Sequence, residues 1–287
     1  MDIQDLRTFL AISENRSFSK AAETLHISQP AVSKRIQALE LSLGAQLFDR
    51  VGKRIFLTEA GELLIHQARH LLAMLADTER KVRNLSESVS GTLQLATSHH
   101  IGLHRLEPVL RRFITNYPEV QINIAFEDSE VAHDLVRQGE IELAVVTLNP
   151  KGDPTLQYQT VWHDPLVFVS SVAKSHPLAL RDLAKLPCVL PGTATYTGRI
   201  VLQRFADQGI TLQPAMSTNY LETIGMLVSV GLGWSVLPRS MATNLEVLQV
   251  DCAPMARTLG FVTNPERSMS NAAKAFTETL SAFKEDN

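Results

Sequence analysis

The chain has 287 residues, 45% of them apolar and 20% charged, with a formal net charge of −3, a composition of folded domains rather than of a disordered or fibrous chain. That length predicts two or three structural units rather than one. No apolar run approaches the roughly 20 residues that span a bilayer, MDIQDLRTF at the N-terminus lacks a basic-then-apolar signal pattern, and Cys188 and Cys252 lie outside any CxxC spacing, so the expectation is a cytoplasmic protein with no membrane partner and no disulfide framework.

Residues 1 to 88 carry 12 Lys+Arg against 11 Asp+Glu, and the rest of the chain 15 against 19. A nucleic-acid role must therefore rest on where particular basic side chains fall. Over 5–14, Leu6, Phe9, Leu10 and Ile12 recur at helical spacing. Ser17 and Ser19 offer N-caps for a second helix, in which Ala21, Ala22 and Leu25 supply small and apolar faces that let helices approach closely. His26 and Ile27 turn the chain, and Ser28 caps a third helix with Pro30 in its first turn. Val32, Ile36, Leu39 and Leu43 form the inward stripe of that helix. Gln29, Ser33, Lys34 and Gln37 point outward, and they are donors and acceptors suited to base edges and phosphates. Residues 17–43 thus have the form of a helix-turn-helix, although an amphipathic hairpin with a solvated polar face would explain the third helix alone. Beyond Gly44, Arg50, Lys53 and Arg54 cluster around Val51–Gly52, with a short strand over 55–58. A basic wing of this kind can reach phosphates or a minor groove beside a recognition helix.

From Thr58 to Ser90 there is no proline, and Thr58, Glu59 and Glu62 make a capped, acidic helix start. Leu64, Ala68, Leu71, Leu75, Thr78, Val82, Leu85 and Val89 alternate at spacings of 4 and 3, the pattern of a seam facing a partner helix, although a single helix with so narrow a stripe could instead lie on its own domain. His66 and His70 stand at i and i+4 on it, but no third ligand is evident and no metal site is expected there.

After Gly91 the pattern becomes alternating strands (93–96, 120–126, 143–146) and helices (103–116, 131–138), which predicts a mostly parallel sheet with helices on its faces. A second such unit follows, with strands at 166–170, 188–190 and 233–237 and helices at 198–208 and 221–230. The chain then returns through a strand at 258–262 to a last helix at 271–283. Two crossings between the halves leave a cleft. Thr97, Ser98, His99 and His100 leave the first strand toward a helix start, where exposed N–H groups favour anions, and Thr195, Tyr196, Thr197 and Gly198 do the same in the second unit. Thr147, Asn219 and Tyr220 could complete the wall, or serve as helix caps and structural hydroxyls. His99, His100 and His104 invite a metal, but no cysteine or carboxylate cluster joins them nearby and adjacent side chains on an extended segment point apart, so none is expected. No G-x-S-x-G, G-x-G-x-x-G or H-E-x-x-H occurs, and neither an enzyme nor a resident cofactor is expected.

Residues 1–61, FLAISENRSFSKAAETLHISQPAVSKRIQALELSLGAQLFDRVGKRIFLTEAG above all, strongly resemble the N-terminal domain of LysR-type transcriptional regulators. NYPEVQINI, VRQGEIELAVV, SHPLAL and VSVGLGWSVLP extend the resemblance over essentially the whole chain. The resemblance implies an α/β protein with three parts: a winged helix-turn-helix at 1–58, a linker and dimerisation helix at 59–90, and a two-lobed effector domain at 91–287 built like periplasmic binding proteins. Its first lobe is expected at 91–163 and 266–287, and its second at 164–265. Gln29, Pro30, Ser33 and Lys34 become the groove-facing group, with Arg50, Lys53 and Arg54 as wing contacts. Position 34 is often Arg in the family, and Lys lacks the rigid fork of Arg. Ser98, His100 and Thr197 match effector-contacting positions, and ATSHH and YTGR resemble the regulators of cysteine biosynthesis. The expectation is a regulator that binds an inverted-repeat operator as a homodimer or homotetramer, with RNA polymerase a further candidate partner. A small anionic, sulfur-containing or amino-acid metabolite would control it. A metal- or redox-responsive regulator, or a cytoplasmic solute-binding protein, is the alternative.

Overall fold

The computed structural model describes residues 1–52, 54–86, 88–174 and 176–284. Contacts divide the chain into two units, one holding Met1–Arg83 with the short stretch Gln138–Glu140, the other the remainder.

In the first unit, local capping sets the helix starts. Helix α1 (Ile3–Asn15) begins at a reciprocal cap in which the Asp2 carboxylate accepts from Asp5 N–H and the Asp5 carboxylate from Asp2 N–H, both at 2.8 Å. Ser17 caps α2 (Phe18–Thr24) and Ser28 caps α3 (Gln29–Leu43), as their side chains suggest. Val32, Ile36 and Leu39 are buried in a core with Phe9, Ile12, Phe18 and Phe48. Leu43 is not part of that stripe; it is 42% exposed in the last turn, where Gly44 in the left-handed region ends the helix. Strands β1 (Phe48–Val51) and β2 (Arg54–Leu57) pair antiparallel as the wing hairpin.

Helix α4 (Glu59–Arg83) follows the wing, with the Thr58 hydroxyl accepting from Gly61 N–H at 3.0 Å. The seam expected along it divides. Ala68 is buried and Leu64 half-buried in the winged-helix core, because the helix must cover that core before it can offer anything to a partner. Leu85 and Val89 lie past its end, and Val89 packs on the core of the second unit. Leu63, Leu71, Met74 and Val82 are the exposed apolar side chains of α4, and they fall within about 100° of its circumference at 3.6 residues per turn.

The second unit is built on one large sheet, with a separate two-stranded one. Its elements are β3 (Gly91–Thr97), α5 (His99–His104), α6 (Leu106–Asn116), β4 (Val120–Phe126), α7 (Ser129–Gln138), β5 (Leu143–Thr147), β6 (Gln157–Ser170), α8 (Leu180–Leu183), β7 (Val189–Leu190), α9 (Tyr196–Ala206), β8 (Met216–Ser217), α10 (Leu221–Ser229), β9 (Ser235–Pro238), β10 (Glu246–Val247), β11 (Met255–Thr263) and α11 (Asn271–Ser281). The strand order is β10-β6-β11-β5-β3-β4, with β9 also on β6.

Only part of this sheet is parallel, contrary to the expected mostly parallel sheet. Strand β3 runs parallel to β4 and β5, whereas β11 runs antiparallel to β5 and β6, and β6 antiparallel to β9 and β10. The reason lies in β6 and β11, long strands that carry the chain from one lobe to the other and back and must run in opposite directions. Gly260 marks the register shift between them, where a Cβ would come within 2.0 Å of the Gln159 carbonyl oxygen.

Each lobe has its own core. Leu93, Leu95, Phe113 and Phe276 centre the first, and Leu166, Phe168, Phe205 and Trp234 the second, where the Trp234 indole donates to the Leu183 carbonyl at 2.9 Å. Leu259 belongs to the first core and Val262 to the cluster beneath β5. The chain therefore re-enters the first lobe within β11, ahead of the expected boundary at 266. The helix expected over 103–116 is two helices that meet at Arg105, and this break shapes the cleft.

Candidate functional site

Two surfaces carry chemistry, one in each unit. On the first, Ser28 fixes the start of α3, and the extended backbone at Ser28 gives way to a helix with Pro30 in its first turn. Gln29, Pro30 and Lys34 are exposed and Ser33 is half-buried. The Gln29 amide donates to the Ser33 hydroxyl at 3.1 Å, one turn along the same face. A Gln amide and a hydroxyl offer both a donor and an acceptor to a base edge, and Lys34 offers charge to a phosphate. Arg54 is exposed at the start of β2 and Arg50 lies on β1. Lys53 falls outside the described residues.

The second surface is a cavity of about 250 Å3 between the two lobes. Ser98, His100, Thr147, Thr197, Asn219 and Tyr220 all line it. The sequence brings them there by two strand-to-helix turns. Ser98 ends β3 and begins α5. Thr195 caps α9 by accepting from Gly198 N–H at 3.0 Å. Gly198 is required, since a Cβ there would lie 2.2 Å from the Gly192 carbonyl oxygen.

Charged groups that the sequence reading did not single out decide the electrostatics. Arg257, 5% exposed on β11, donates to the Asp164 carboxylate at 2.7 Å and to the Thr197 hydroxyl at 3.2 Å. Arg105 donates to the other oxygen of Asp164 at 3.4 Å. The second terminal nitrogen of Arg257 is buried without a hydrogen-bond partner among the described residues, although Arg257 lines the cavity. A buried N–H left unpaired costs on the order of 1–3 kcal/mol, more when charged, and a ligand acceptor would recover that cost.

The opposite wall is acidic. Glu127, Asp128 and Glu130 line it. Glu130 accepts from the Tyr196 N–H at the start of α9 and lies 3.7 Å from Arg199. The helix start expected to attract an external anion is thus occupied by a carboxylate of the first lobe. Burial pushes the Glu130 carboxyl above the usual range, opposed by the backbone N–H groups and Arg199. Asn219 donates to Asp128 at 2.5 Å and accepts from Gly192 N–H at 3.2 Å.

The histidines also differ from expectation. His99 to His104 form a helix rather than an extended segment, so His100 and His104 share one face. Glu222, at the start of α10, joins them: its Oε1 is 2.9 Å from His104 Nε2 and 3.8 Å from His100 Nδ1. His100 is 5% exposed, and burial, with Arg257 next in weight, pulls it down to about 3. It is neutral at neutral pH. Burial also pushes up both thiols, Cys188 and Cys252, which disfavours the thiolate a redox sensor needs.

Arg257 and Asp164 could have been noticed in the sequence. MARTLGFVT places an arginine at an inward position of an apolar strand, and VWHDPLVFVS does the same with an aspartate; buried charges at such positions require partners. Which partners they find depends on the lobe-to-lobe fold and has no local signal.

Comparison with known proteins gives concordant results. A family model described as LysR substrate binding domain matches residues 86–284, and one described as bacterial regulatory helix-turn-helix protein, lysR family, matches residues 3–62. A "Probable RuBisCO transcriptional regulator" of Cyanophora paradoxa is 30% identical over 295 residues, covering 97% of this chain and 90% of the relative. An "Uncharacterized HTH-type transcriptional regulator in ibpB-leuC intergenic region" of Azotobacter vinelandii is 56% identical over 108 residues, 38% of this chain and 75% of the relative. Among solved structures, CbnR, a LysR family transcriptional regulator, superposes with a TM-score of 0.69 at 21% identity over 100% of both chains. A full-length OxyR variant from Pseudomonas aeruginosa gives 0.69 at 20% identity over 98% of this chain and 94% of that one.

Proposed function

The chain belongs to the LysR family of transcriptional regulators, with a DNA-binding helix-turn-helix unit and an effector-binding unit, and from that premise we propose that its effector is a small zwitterion of the amino-acid class, sulfur-containing members included. The unpartnered buried nitrogen of Arg257 carries this reading. A carboxylate placed there would accept from Arg257 and from the hydroxyls of Ser98 and Thr197, while an ammonium would face Asp128 and Glu130 across the cavity. A simple anion would meet the same Arg257 but also three carboxylates opposite, with no ammonium of its own to face them. Thr147, Asn219, Tyr220 and the neutral His100 would complete the polar contacts that orient the ligand.

On the DNA side, Gln29, Pro30, Ser33 and Lys34 would face the groove, and Arg50, Lys53 and Arg54 the backbone beside it. Pairing through the exposed apolar stripe of α4 would present two such units to an inverted-repeat operator in a homodimer or homotetramer, with a cytoplasmic location. CbnR has been crystallised with its target DNA, which fits this part of the proposal. The effector would act by binding one arrangement of the lobes more tightly than the other.

The test is a thermal-shift series on the full chain with amino acids and with analogues lacking either the amine or the carboxylate. An amino acid at about 100 times its Kd adds about 2.7 kcal/mol, and the expected upward shift is some 5–10 °C. Thr197→Val and Ser98→Ala should shrink it. Equal shifts with sulfate or with des-amino analogues would replace the zwitterion by an anion, and hits indifferent to both substitutions would move the pocket elsewhere.

A further inference from the structure

We propose that His100, His104 and Glu222 form a divalent transition-metal site of the zinc class that joins the two lobes. This goes beyond the effector reading and does not depend on it. The three ligand atoms lie within 4.8 Å of one another. Ligands about 2.0–2.1 Å from a tetrahedral zinc ion stand about 3.4 Å apart, and the observed separations of 2.9 Å (His104 Nε2 to Glu222 Oε1) and 3.8 Å (His100 Nδ1 to Glu222 Oε1) bracket that value.

The donor set is the right one for such an ion. Two imidazoles and a carboxylate suit zinc, and with three protein ligands a fourth position is left for solvent or another donor. The independent observation is the state of His100: it is 5% exposed, and neither of its ring nitrogens makes a hydrogen bond among the described residues. A buried imidazole with two unsatisfied nitrogens is costly unless a ligand takes one of them. The guanidinium groups of Arg257 and Arg105 oppose a cation here, but Asp164 accepts from both of them and offsets one of their two charges, and the Glu222 carboxylate brings a further negative charge to the site itself.

The site has a mechanical consequence. His100 and His104 come from α5 in the first lobe and Glu222 from α10 in the second. An ion held by all three would tie the lobes together at one end of the cleft and favour the arrangement in which they meet.

The experiment uses tag-free, full-length protein stripped with a chelator, titrated with Zn2+ by calorimetry and with Co2+ by visible absorption. One saturable equivalent per chain is expected, with the intense ligand-field bands of four-coordinate cobalt. His104→Ala and Glu222→Gln should each weaken binding on the order of 100-fold; the His104 side chain is 44% exposed, so its truncation leaves the fold intact, which the thermal midpoint of the apo variant checks. The double variant His66→Ala/His70→Ala, on α4, should bind as the wild type does. The absence of a saturable equivalent, wild-type affinity in both His104→Ala and Glu222→Gln, or loss of the equivalent with the α4 pair would each overturn the assignment.

Discussion

The winged-helix region and the lobe cleft handle polar groups in opposite ways. Between residues 1 and 58, Thr8 is the one fully buried polar side chain among the described residues, and it is satisfied within its own helix by donating to the Gln4 carbonyl at 2.6 Å. The groups that would meet DNA lie on the outside of an apolar core. The cleft instead buries His100, Asp164, Thr197 and Arg257 together, drawing them from strands and helices far apart in sequence. A surface that reads DNA can be presented ready-made by a rigid core. A site that must respond to a ligand gains from charges whose pairing changes when the lobes do, because only a difference between two arrangements can couple binding to output.

That contrast is sharpest in the cost of removing one side chain. Arg257→Met leaves Asp164 buried with only the longer Arg105 contact, and Asp164→Asn leaves Arg257 uncompensated; chemical denaturation should show a loss of about 3–5 kcal/mol for either. The double variant Asp164→Leu/Arg257→Met should recover much of it. Equal losses in the single and double variants would mean that packing, and not the charge pair, is what matters.

On the winged helix, Gln29→Ala should leave stability within about 0.5 kcal/mol while reducing discrimination between operator bases by about 1–3 kcal/mol, as measured by competition binding to operator variants. Arg54→Ala should weaken binding to all sequences alike and lower the salt slope by about 1. A change in base preference with Arg54→Ala, and none with Gln29→Ala, would reverse the roles of wing and helix.

The smallest effect is a pH dependence in the second unit. Burial holds His133 below its ordinary value, against its contact with the Ser129 carbonyl. The unfolded chain then binds a proton near pH 6.5 that the folded chain does not, so stability falls as pH drops from about 6.5 toward the depressed folded value. The slope from one such group is at most about 1.4 kcal/mol per pH unit. Denaturation curves at pH 7 and pH 5.5 should differ less in His133→Gln than in wild type.

The same contrast explains what could be read from the chain alone. Caps at Ser17 and Ser28, the stripe of Val32, Ile36 and Leu39, and the wing pairing are local, so the residues themselves specify them. The pocket positions Ser98 and Thr197 were legible because Ser98 joins a strand to a helix start and Thr197 lies in the first turn of another helix. Three things were not. The antiparallel half of the sheet depends on where β11 returns. The partners of Arg257 and Glu222 lie 93 and 118 residues away, at Asp164 and His104. The true free face of α4 emerges only after Leu64 and Ala68 have been used to cover the winged-helix core.

The most direct measurement of the central claim is operator affinity with and without effector. A DNA fragment enriched from random sequence by the protein itself would be titrated in the presence and absence of the amino acid that gives the largest thermal shift. A coupling of about 1–3 kcal/mol predicts a 5- to 150-fold change in affinity, with DNA altering the affinity for the amino acid by the same factor. Identical operator affinity and an identical footprint in both conditions would contradict the account.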